Sequence, residues 1–420
     1  MRTSLFLGIG GSGMRGLAYL LEQKGETIIG YDDNSHNTKC SLEEAASALT
    51  TSDRVIYSDA VPEDHALRMQ ARKHSVREAS YQQALGEFSA NYTTIAITGT
   101  HGKSSTTAFL AHIAIENDID PTVLVGANMP TLPGEHARVG TSKYFIVEAD
   151  EYRRHFLELT PAHILITSID FDHPDAFSSI EDTEHAYTEF IARLQSSGTV
   201  ITPQHVQEQH PGVAWPTDTM AIKEDAARDI SVPLPGNHMQ MNAALACEAA
   251  VLLGINRDAA RTSLLTFPGL SRRFELLGTY EGIEVRSDYG HHPTEITATI
   301  AGSRIARPDA HIIAIFEAHM PLRLHTFFNE FADALSTADS VIIVPPFVPA
   351  GRGNSDAMRD TLRLRDTLIA RKKQVTYAAE LPELSSALQE HLKTSTKPVL
   401  AIGFSAGSLD EELRKTVNKR

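Results

Sequence analysis

Thr94-Ile95-Ala96-Ile97-Thr98-Gly99-Thr100-His101-Gly102-Lys103-Ser104-Ser105 is the stretch that decides the fold. Its first five residues form an apolar, β-branched run of the kind found in buried strands. A glycine-containing turn follows, and the residues after it predict a helix through about Ile115. Strand, turn and helix in that order aim backbone N–H groups at a phosphate near the helix N-terminus. Lys103 has the length to reach β- and γ-phosphates, and the Ser104 hydroxyl is of a type that ligates Mg2+. The loop departs from the common G-x-x-x-x-G-K-[ST] spacing, which would require glycine where Ile97 stands. Gly99 instead lies three residues before Gly102, so the loop is tighter.

The same rhythm appears on either side. Leu5-Phe6-Leu7 reads as a strand, Gly8-Ile9-Gly10-Gly11-Ser12-Gly13 as a turn, and Met14 to Leu21 as an amphipathic helix stopping near Gly25. Thr27–Ile29 and Arg54–Tyr57 are further strands. Tyr144–Val147 runs into Glu148-Ala149-Asp150-Glu151, and Ile164–Thr167 into Asp170-Phe171-Asp172-His173. Later, Glu284–Asp288, His311–Phe316, Ser340–Val344 and Pro398–Gly403 are strand-like. Alternating strands and helices predict parallel α/β sheets three times along the chain, with sites off the carboxyl ends of strands. Residues 203–229, polar and holding the lone Trp215, read as an irregular surface excursion.

Each motif has a plain alternative. Gly8-x-Gly10-x-x-Gly13 with Asp32 suits a diphosphate, but does not separate a nicotinamide dinucleotide from a sugar nucleotide. The oxidoreductase reading leaves Lys103 without a task. Glu148, Asp150 and Glu151 suit Mg2+, or else complement a helix dipole. His173 is a metal ligand or a solvated loop histidine. His291-His292 suggests zinc, without a third ligand at convincing spacing. Thr294 reads as a helix cap, and Arg272-Arg273 either as surface charge or as one arginine facing a transferring phosphoryl group.

Composition excludes several classes. Among 420 residues, 42% are hydrophobic and 22% charged, which rules out a disordered, collagenous or coiled-coil chain. Fifty-three acidic against 38 basic residues give a net charge of −15, unsuited to general binding of nucleic acid or anionic membrane. Cys40 and Cys247 form no C-x-x-C pair, which fits a reducing cytoplasm. No apolar run approaches the roughly 18 residues of a membrane span. The run Leu5–Ile9 dissolves into glycines with no clean cleavage site, and reads as a strand and not a secretory signal.

Taken in order, Gly8-Ile9-Gly10-Gly11-Ser12-Gly13-Met14, Gly99-Thr100-His101-Gly102-Lys103, Glu148-Ala149-Asp150-Glu151, Asp288-Tyr289-Gly290-His291-His292-Pro293-Thr294-Glu295 and Phe316-Glu317-Ala318-His319 resemble the Mur ligases. These are ATP-dependent amide-forming enzymes of peptidoglycan precursor synthesis. The resemblance runs through nearly the whole chain and is greatest to the branch that adds L-alanine to UDP-N-acetylmuramate. The Asp-Tyr-Gly-His-His-Pro stretch is shared with a relative that attaches a ready-made tripeptide.

The resemblance implies three α/β domains: a Rossmann-like UDP-sugar domain at 1–90, a central P-loop ATPase-type domain at 91–276, and a Rossmann-like amino-acid-binding domain at 277–420. It implies that Gly10, Gly11, Ser12, Gly13 and Asp32 meet the UDP-sugar. Gly99, Thr100, His101, Gly102, Lys103, Ser104 and Ser105 would surround ATP phosphates, Asn242 the adenine and Asp288 the ribose. Ser104 and Glu148 would hold one Mg2+ and His173 a second metal. Arg273 would lie near the γ-phosphate, and Tyr289, His319 and Arg323 around the amino acid. Lys103, Arg273 and His319 would be catalytic. Two positions depart from the family pattern: Met239 replaces an adenine-binding asparagine, and Met320 replaces one of two arginines expected after His319. One guanidinium clamps a carboxylate less well than two. A non-catalytic sugar-nucleotide-binding protein is the remaining alternative, and Lys103, Ser104, Glu148, His173 and Arg273 argue against it.

Overall fold

The structure is a computed structural model and describes residues 2–33, 40–347 and 356–418. It divides into two compact units. The first comprises Met1–Ile169, Glu181–Ala226 and Asn242–Pro268; the second comprises Asp170–Ile180, Ala227–Met241 and Gly269–Arg420.

The first unit carries two sheets. Strands β1 (Thr3–Leu7), β2 (Thr27–Tyr31), β3 (Arg54–Tyr57) and β4 (Arg77–Ser80) form an all-parallel sheet in the order β2-β1-β3-β4. Leu5, Leu7 and Val55 are fully buried against Leu49, Leu67 and Ala71 of the covering helices. The order reverses at β1, so the Gly8–Gly13 turn emerges at a switch point.

The second sheet holds β5 (Thr93–Thr98), β6 (Thr122–Leu124), β7 (Ala137–Arg138), β8 (Tyr144–Glu148), β9 (His163–Ile166), β10 (Thr199–Pro203) and β11 (Met220–Ile222). Its order is β11-β10-β9-β5-β8-β6-β7, and only β7 runs antiparallel. Strand β5 is central, with Ile95, Ala96 and Ile97 fully buried, and it feeds the Gly99–Gly102 turn. Helix Lys103–Glu116 is buried from Ser104 through Ala114. That accounts for its lack of a charged solvent-facing side: an element enclosed on all sides has no face to present to water. Phe109 meets Phe267 edge-on at 4.7 Å. Truncating so buried a ring costs about 3–5 kcal/mol.

The excursion expected at 203–229 is instead ordered: helix Gln204–Gln209, strand β11 pairing Met220 with Ile201, and helix Glu224–Arg228. Three- to six-residue elements carry too little periodicity to announce themselves. Trp215 anchors the segment, its Nε1–H donating to the His210 carbonyl at 3.0 Å.

The second unit is built on β12 (Glu275–Tyr280), β13 (Ile283–Asp288), β14 (His311–Phe316), β15 (Ser340–Ile343), β16 (Gln374–Tyr377) and β17 (Val399–Phe404), in the order β12-β13-β17-β14-β15-β16. Only β12 is antiparallel. Ile283, Val285, Ile313 and Ile315 pack on Leu409 and Leu413 of the C-terminal helix Leu409–Asn418. Three sheets with helices between parallel strands meet the α/β expectation. Among the described residues, no helix is long and apolar enough to cross a membrane.

Candidate functional site

In the first unit the Gly99–Gly102 turn is shaped by its neighbours. Gly99 has φ of 138°, and a Cβ there would collide with Thr167; Gly102 has φ of 83°, and its Cβ would stand 2.7 Å from the Asn242 carboxamide oxygen. Glycine is the residue that tolerates both the left-handed backbone and the close approach. The end of β9 fixes the turn from below: Ser168 accepts from the Thr100 N–H at 3.1 Å and, through Oγ, from the His101 N–H at 2.8 Å.

The Lys103 ammonium donates to the Gly99 carbonyl at 2.7 Å and to both oxygens of Glu151, at 2.7 and 3.0 Å. Glu151 is 1% exposed. Burial opposes the charge on Lys103, but Glu151 and Asp150 outweigh it and hold its pKa above the ordinary lysine range. Ser104 Oγ lies 3.0 Å from one oxygen of Glu148, whose other oxygen accepts from Gly126 N–H at 2.7 Å. This hydroxyl and carboxylate are hard oxygen donors of the kind Mg2+ takes. The three carboxylates at the end of β8 thus part ways: Glu148 goes to Ser104, Glu151 to Lys103, and Asp150 to His155. Ser105 is buried behind the loop, and Asn242 is buried beside it.

The Gly-rich turn of the first sheet is held by an acid. Asp32 Oδ2 accepts the Gly10 N–H at 2.8 Å, and Gly8 bonds back to the Tyr31 carbonyl. Gly11 N-caps helix Ser12–Gln23 without a side-chain cap. An added Cβ on Gly13 would stand 2.8 Å from the Tyr81 hydroxyl. His155 joins the first sheet to the second, with Nε2 2.6 Å from Asp59 and Nδ1 3.5 Å from Asp150. Burial works against its charge, but these two carboxylates push its pKa up to about 9.

In the second unit, Asp288 ends β13 and is buried. Its oxygens accept from the backbone N–H groups of Phe274 (2.9 Å) and Gly290 (2.8 Å). Burial raises its pKa to about 6 against the pull of Arg273. The guanidiniums of Arg272 and Arg273 each lie 5.0 Å from the centre of the Tyr289 ring. Tyr289 meets His291 edge-on, His291 meets His319, and His319 stacks on Phe347. Burial, with Arg323 adding, lowers the His291 pKa to about 3, so the ring is neutral. His292, paired with it in the sequence, N-caps helix Pro293–Ala306. Thr294 donates its hydroxyl to Asp170 at 2.9 Å, so it is not that cap.

Arg323 is tied to a carboxylate within its own unit. It is 2% exposed, and it forks onto Asp172 through Nε (2.8 Å) and Nη2 (3.1 Å). Burial would raise Asp172; the charge and hydrogen bonds of the Arg323 guanidinium outweigh it and hold the carboxyl well below the usual range. His173 has φ of 55°, with Nδ1 3.5 Å from the Arg323 guanidinium, a neighbour that disfavours a cation at that nitrogen. The sequence analysis places Asp172 and Glu151 at strand ends but does not foresee their partners, which are 151 and 48 positions away.

Residues 4–93 match the family description "Mur ligase family, catalytic domain", 97–209 the "Mur ligase middle domain", and 272–403 the "Mur ligase, glutamate ligase domain". The UDP-N-acetylmuramate–L-alanine ligase of Desulfitobacterium hafniense is 31% identical over 96% of this chain and 97% of its own length. The enzyme of the same name from Acidithiobacillus ferrooxidans is 31% identical, covering 91% and 93%. Among solved structures, the UDP-N-acetylmuramate-alanine ligase of Thermotoga maritima superposes with a TM-score of 0.77 at 21% identity, covering 100% and 99%. A murein peptide ligase from Psychrobacter arcticus gives 0.72 at 22% identity over the same shares. At those identities the superpositions speak for the fold.

Proposed function

The chain belongs to the Mur ligase family, and from that premise we propose that it joins L-alanine to the lactyl carboxylate of UDP-N-acetylmuramate, consuming ATP, in peptidoglycan precursor synthesis. The constellation of Lys103, Ser104, Glu148 and Glu151 at the head of helix Lys103–Glu116 is the observation that carries the reading. A nicotinamide enzyme has no use for it. Residues 1–90 take the UDP-sugar, 91–276 ATP, and 277–420 the amino acid. We place the reaction in the cytoplasm, where ATP is supplied and thiols such as Cys40 and Cys247 stay reduced.

A carboxylate is a poor acyl donor because its leaving group is oxide. Transfer of the ATP γ-phosphoryl group to a lactyl carboxylate oxygen gives an acyl phosphate and ADP. The amine of L-alanine then attacks the acyl carbon, and phosphate leaves as the tetrahedral intermediate collapses to the amide. Both steps concentrate negative charge on oxygen, and Lys103 and Arg273 stabilise it. Mg2+, held by Ser104 and Glu148, supplies Lewis-acid charge stabilisation when bound. His319 accepts the proton that the amine loses on attack.

A second reading, a short peptide as acceptor, draws on one observation. The acceptor side has Met320 in place of an arginine, and Arg323 is already forked onto Asp172. Phosphate release from Mg-ATP and UDP-N-acetylmuramate, scanned over free amino acids and the tripeptide with product mass recorded, separates the two. Release with L-alanine supports the first reading. Release with the tripeptide alone supports the second, and release with neither refutes both.

A further inference from the structure

We propose that His155 is a positioning residue for the sugar nucleotide that acts by its charge: the imidazolium, set between Asp59 and Asp150, cancels carboxylate charge beside the Gly8–Gly13 turn so that a diphosphate can settle there. This rests on the proposed function, in which the turn takes the UDP-sugar.

The two acids belong to the surroundings of the turn. In the sheet order β2-β1-β3-β4 the switch crevice opens between the carboxyl ends of β1 and β3. The glycine turn follows β1, and Ser58-Asp59 follows β3. These two loops touch: the Ser58 N–H donates to the Leu7 carbonyl at 3.0 Å, and a Cβ on Gly8 would stand 2.9 Å from the Ser58 Cβ. Tyr81 backs the turn at Gly13, and burial, then Asp150 and Glu148, raise the pKa of that tyrosine. Asp32 is bonded to the turn itself, at the Gly10 N–H. A diphosphate brought to these amides therefore meets carboxylates on more than one flank, and like charges repel it.

His155 answers two of them. Its Nε2 lies 2.6 Å from Asp59 and its Nδ1 3.5 Å from Asp150, and an imidazole that serves two acceptors carries a proton on each nitrogen. The His155 hydrogen bond overcomes burial and holds the Asp59 carboxyl below its ordinary range, with Arg153 adding to the pull. The backbone is strained to put the ring there. Arg153 and Arg154, in the short helix Tyr152–Glu158, have φ of 49° and 59°, left-handed values that persist where surroundings impose them. The surroundings are plain: Arg154 pairs with Glu189 and Asp182 of helix Ile180–Ile191 at 2.8 Å each, and Phe156 stacks on Phe190 at 4.3 Å. Arg154 and Phe156 thus face that helix, and His155 between them faces the first sheet. Packing already closes this seam, since helix Tyr81–Ser89 lies so near that a Cβ on Gly86 would strike the Glu158 carbonyl. What the triad adds is charge.

The test is calorimetric binding of UDP-N-acetylmuramate and of Mg-ATP to the full chain, at low and at high salt. The proteins are the parent, His155→Gln, Asp59→Asn and the double variant, in which the two amides can keep a hydrogen bond across the seam. Loss of one positive charge near a diphosphate should weaken UDP-sugar binding by about fivefold or more in His155→Gln at low salt, and by less at high salt. The double variant has the net charge of the parent and should bind within about twofold of it. The loss for Mg-ATP should be smaller than that for the UDP-sugar by at least about threefold. Binding to His155→Gln that matches the parent overturns the proposal. So does a double variant as weak as His155→Gln, or an equal loss for Mg-ATP, because either marks a role in packing alone. Where His155→Gln fails to fold, Asp59→Asn decides: tighter UDP-sugar binding than in the parent is expected, and unchanged or weaker binding refutes the proposal. A parent that binds no UDP-sugar refutes the sugar-nucleotide reading of the turn and the proposal with it, whereas equal binding across all the variants refutes the proposal alone.

Discussion

Replacing Glu151 by glutamine removes one charge from a buried pair and nothing else of size. Lys103 is then left with the Gly99 carbonyl at 2.7 Å and, at best, one carboxamide oxygen where two carboxylate oxygens stood. The side chains of the pair are 15% and 2% exposed, so water does not replace what is lost. Breaking a buried ion pair by deleting one partner costs about 3–5 kcal/mol. The retained oxygen puts Glu151→Gln near the lower end, about 3 kcal/mol. For a folding unit of this size each kcal/mol moves Tm by roughly 2–4 °C, so the first calorimetric transition should fall by roughly 6–12 °C. Lys103→Met alone should cost a similar amount, because it strands the Glu151 carboxylate. The double variant should lose less than the sum of the two, with a coupling of at least about 1.5 kcal/mol. Under the proposed function, nucleotide phosphates must replace this same pair on Lys103. Saturating Mg-ATP should therefore recover more stability in Glu151→Gln than in the parent. A Glu151→Gln protein that melts within about 1 °C of the parent, or strict additivity in the double variant, would refute the pairing as an energetic unit.

Three further outcomes follow from the geometry. Gly102→Ala forces a Cβ into a left-handed residue and within 2.7 Å of Asn242, so calorimetric ATP affinity should fall by about tenfold or more; unchanged affinity would show that the turn relaxes freely. The folded pKa of His155 lies at about 9, above an ordinary value of 6.5, so its contribution is complete below pH 6.5 and is lost as pH rises from 6.5 through 9. At about 1.4 kcal/mol per pH unit this is at most about 3.5 kcal/mol, read by urea unfolding across that window, and His155→Gln should flatten the profile. Arg323→Met should cost about 3–5 kcal/mol of stability by stranding Asp172, with partial recovery in Asp172→Asn/Arg323→Met; a raised KM for the acceptor with stability intact would instead make Arg323 a substrate clamp and nothing more.

Much of this architecture was legible because parallel strands buried on both faces read as continuous apolar runs. Arg54–Tyr57 and His311–Phe316 have the bounds predicted for them, and β5 and β8 fall within a residue. The loops that follow them were legible for the same reason: glycines and acids stand out sharply against such runs. What escaped notice was short or distant. Strands β7 and β11 have two and three residues and take their structure from the sheet edges they complete. Glu151 was visible as an acid following the strand Tyr144–Val147. Its partner, though, is settled by how β8 lies beside β5, which no local pattern records.

The pair of Arg323 and Asp172 shows how far a contact of this kind changes a residue's meaning. Sequence presents Arg323 as the survivor of two arginines, with Met320 marking the lost one, and so as a weakened clamp. In the fold, Asp172 takes the guanidinium side-on, through Nε and Nη2. A guanidinium carries five N–H donors in a rigid fork, and a side-on carboxylate uses only one edge. The Nη1 edge lies outside that pair, in a group whose rotamer freedom Asp172 has already removed. Under the proposed function, an acceptor carboxylate brought to that edge meets a cation fixed in place, where two unpaired arginines would each have to be ordered on binding. Asp172 also reduces the net charge the carboxylate feels, so affinity shifts from Coulomb attraction toward geometry. Lysine, a point charge without a second edge, cannot do both tasks. Arg323→Lys should therefore keep much of the stability that Arg323→Met loses, while KM for the acceptor rises as much as in Arg323→Met. Stability and KM moving together in both variants would mean that the guanidinium serves Asp172 alone.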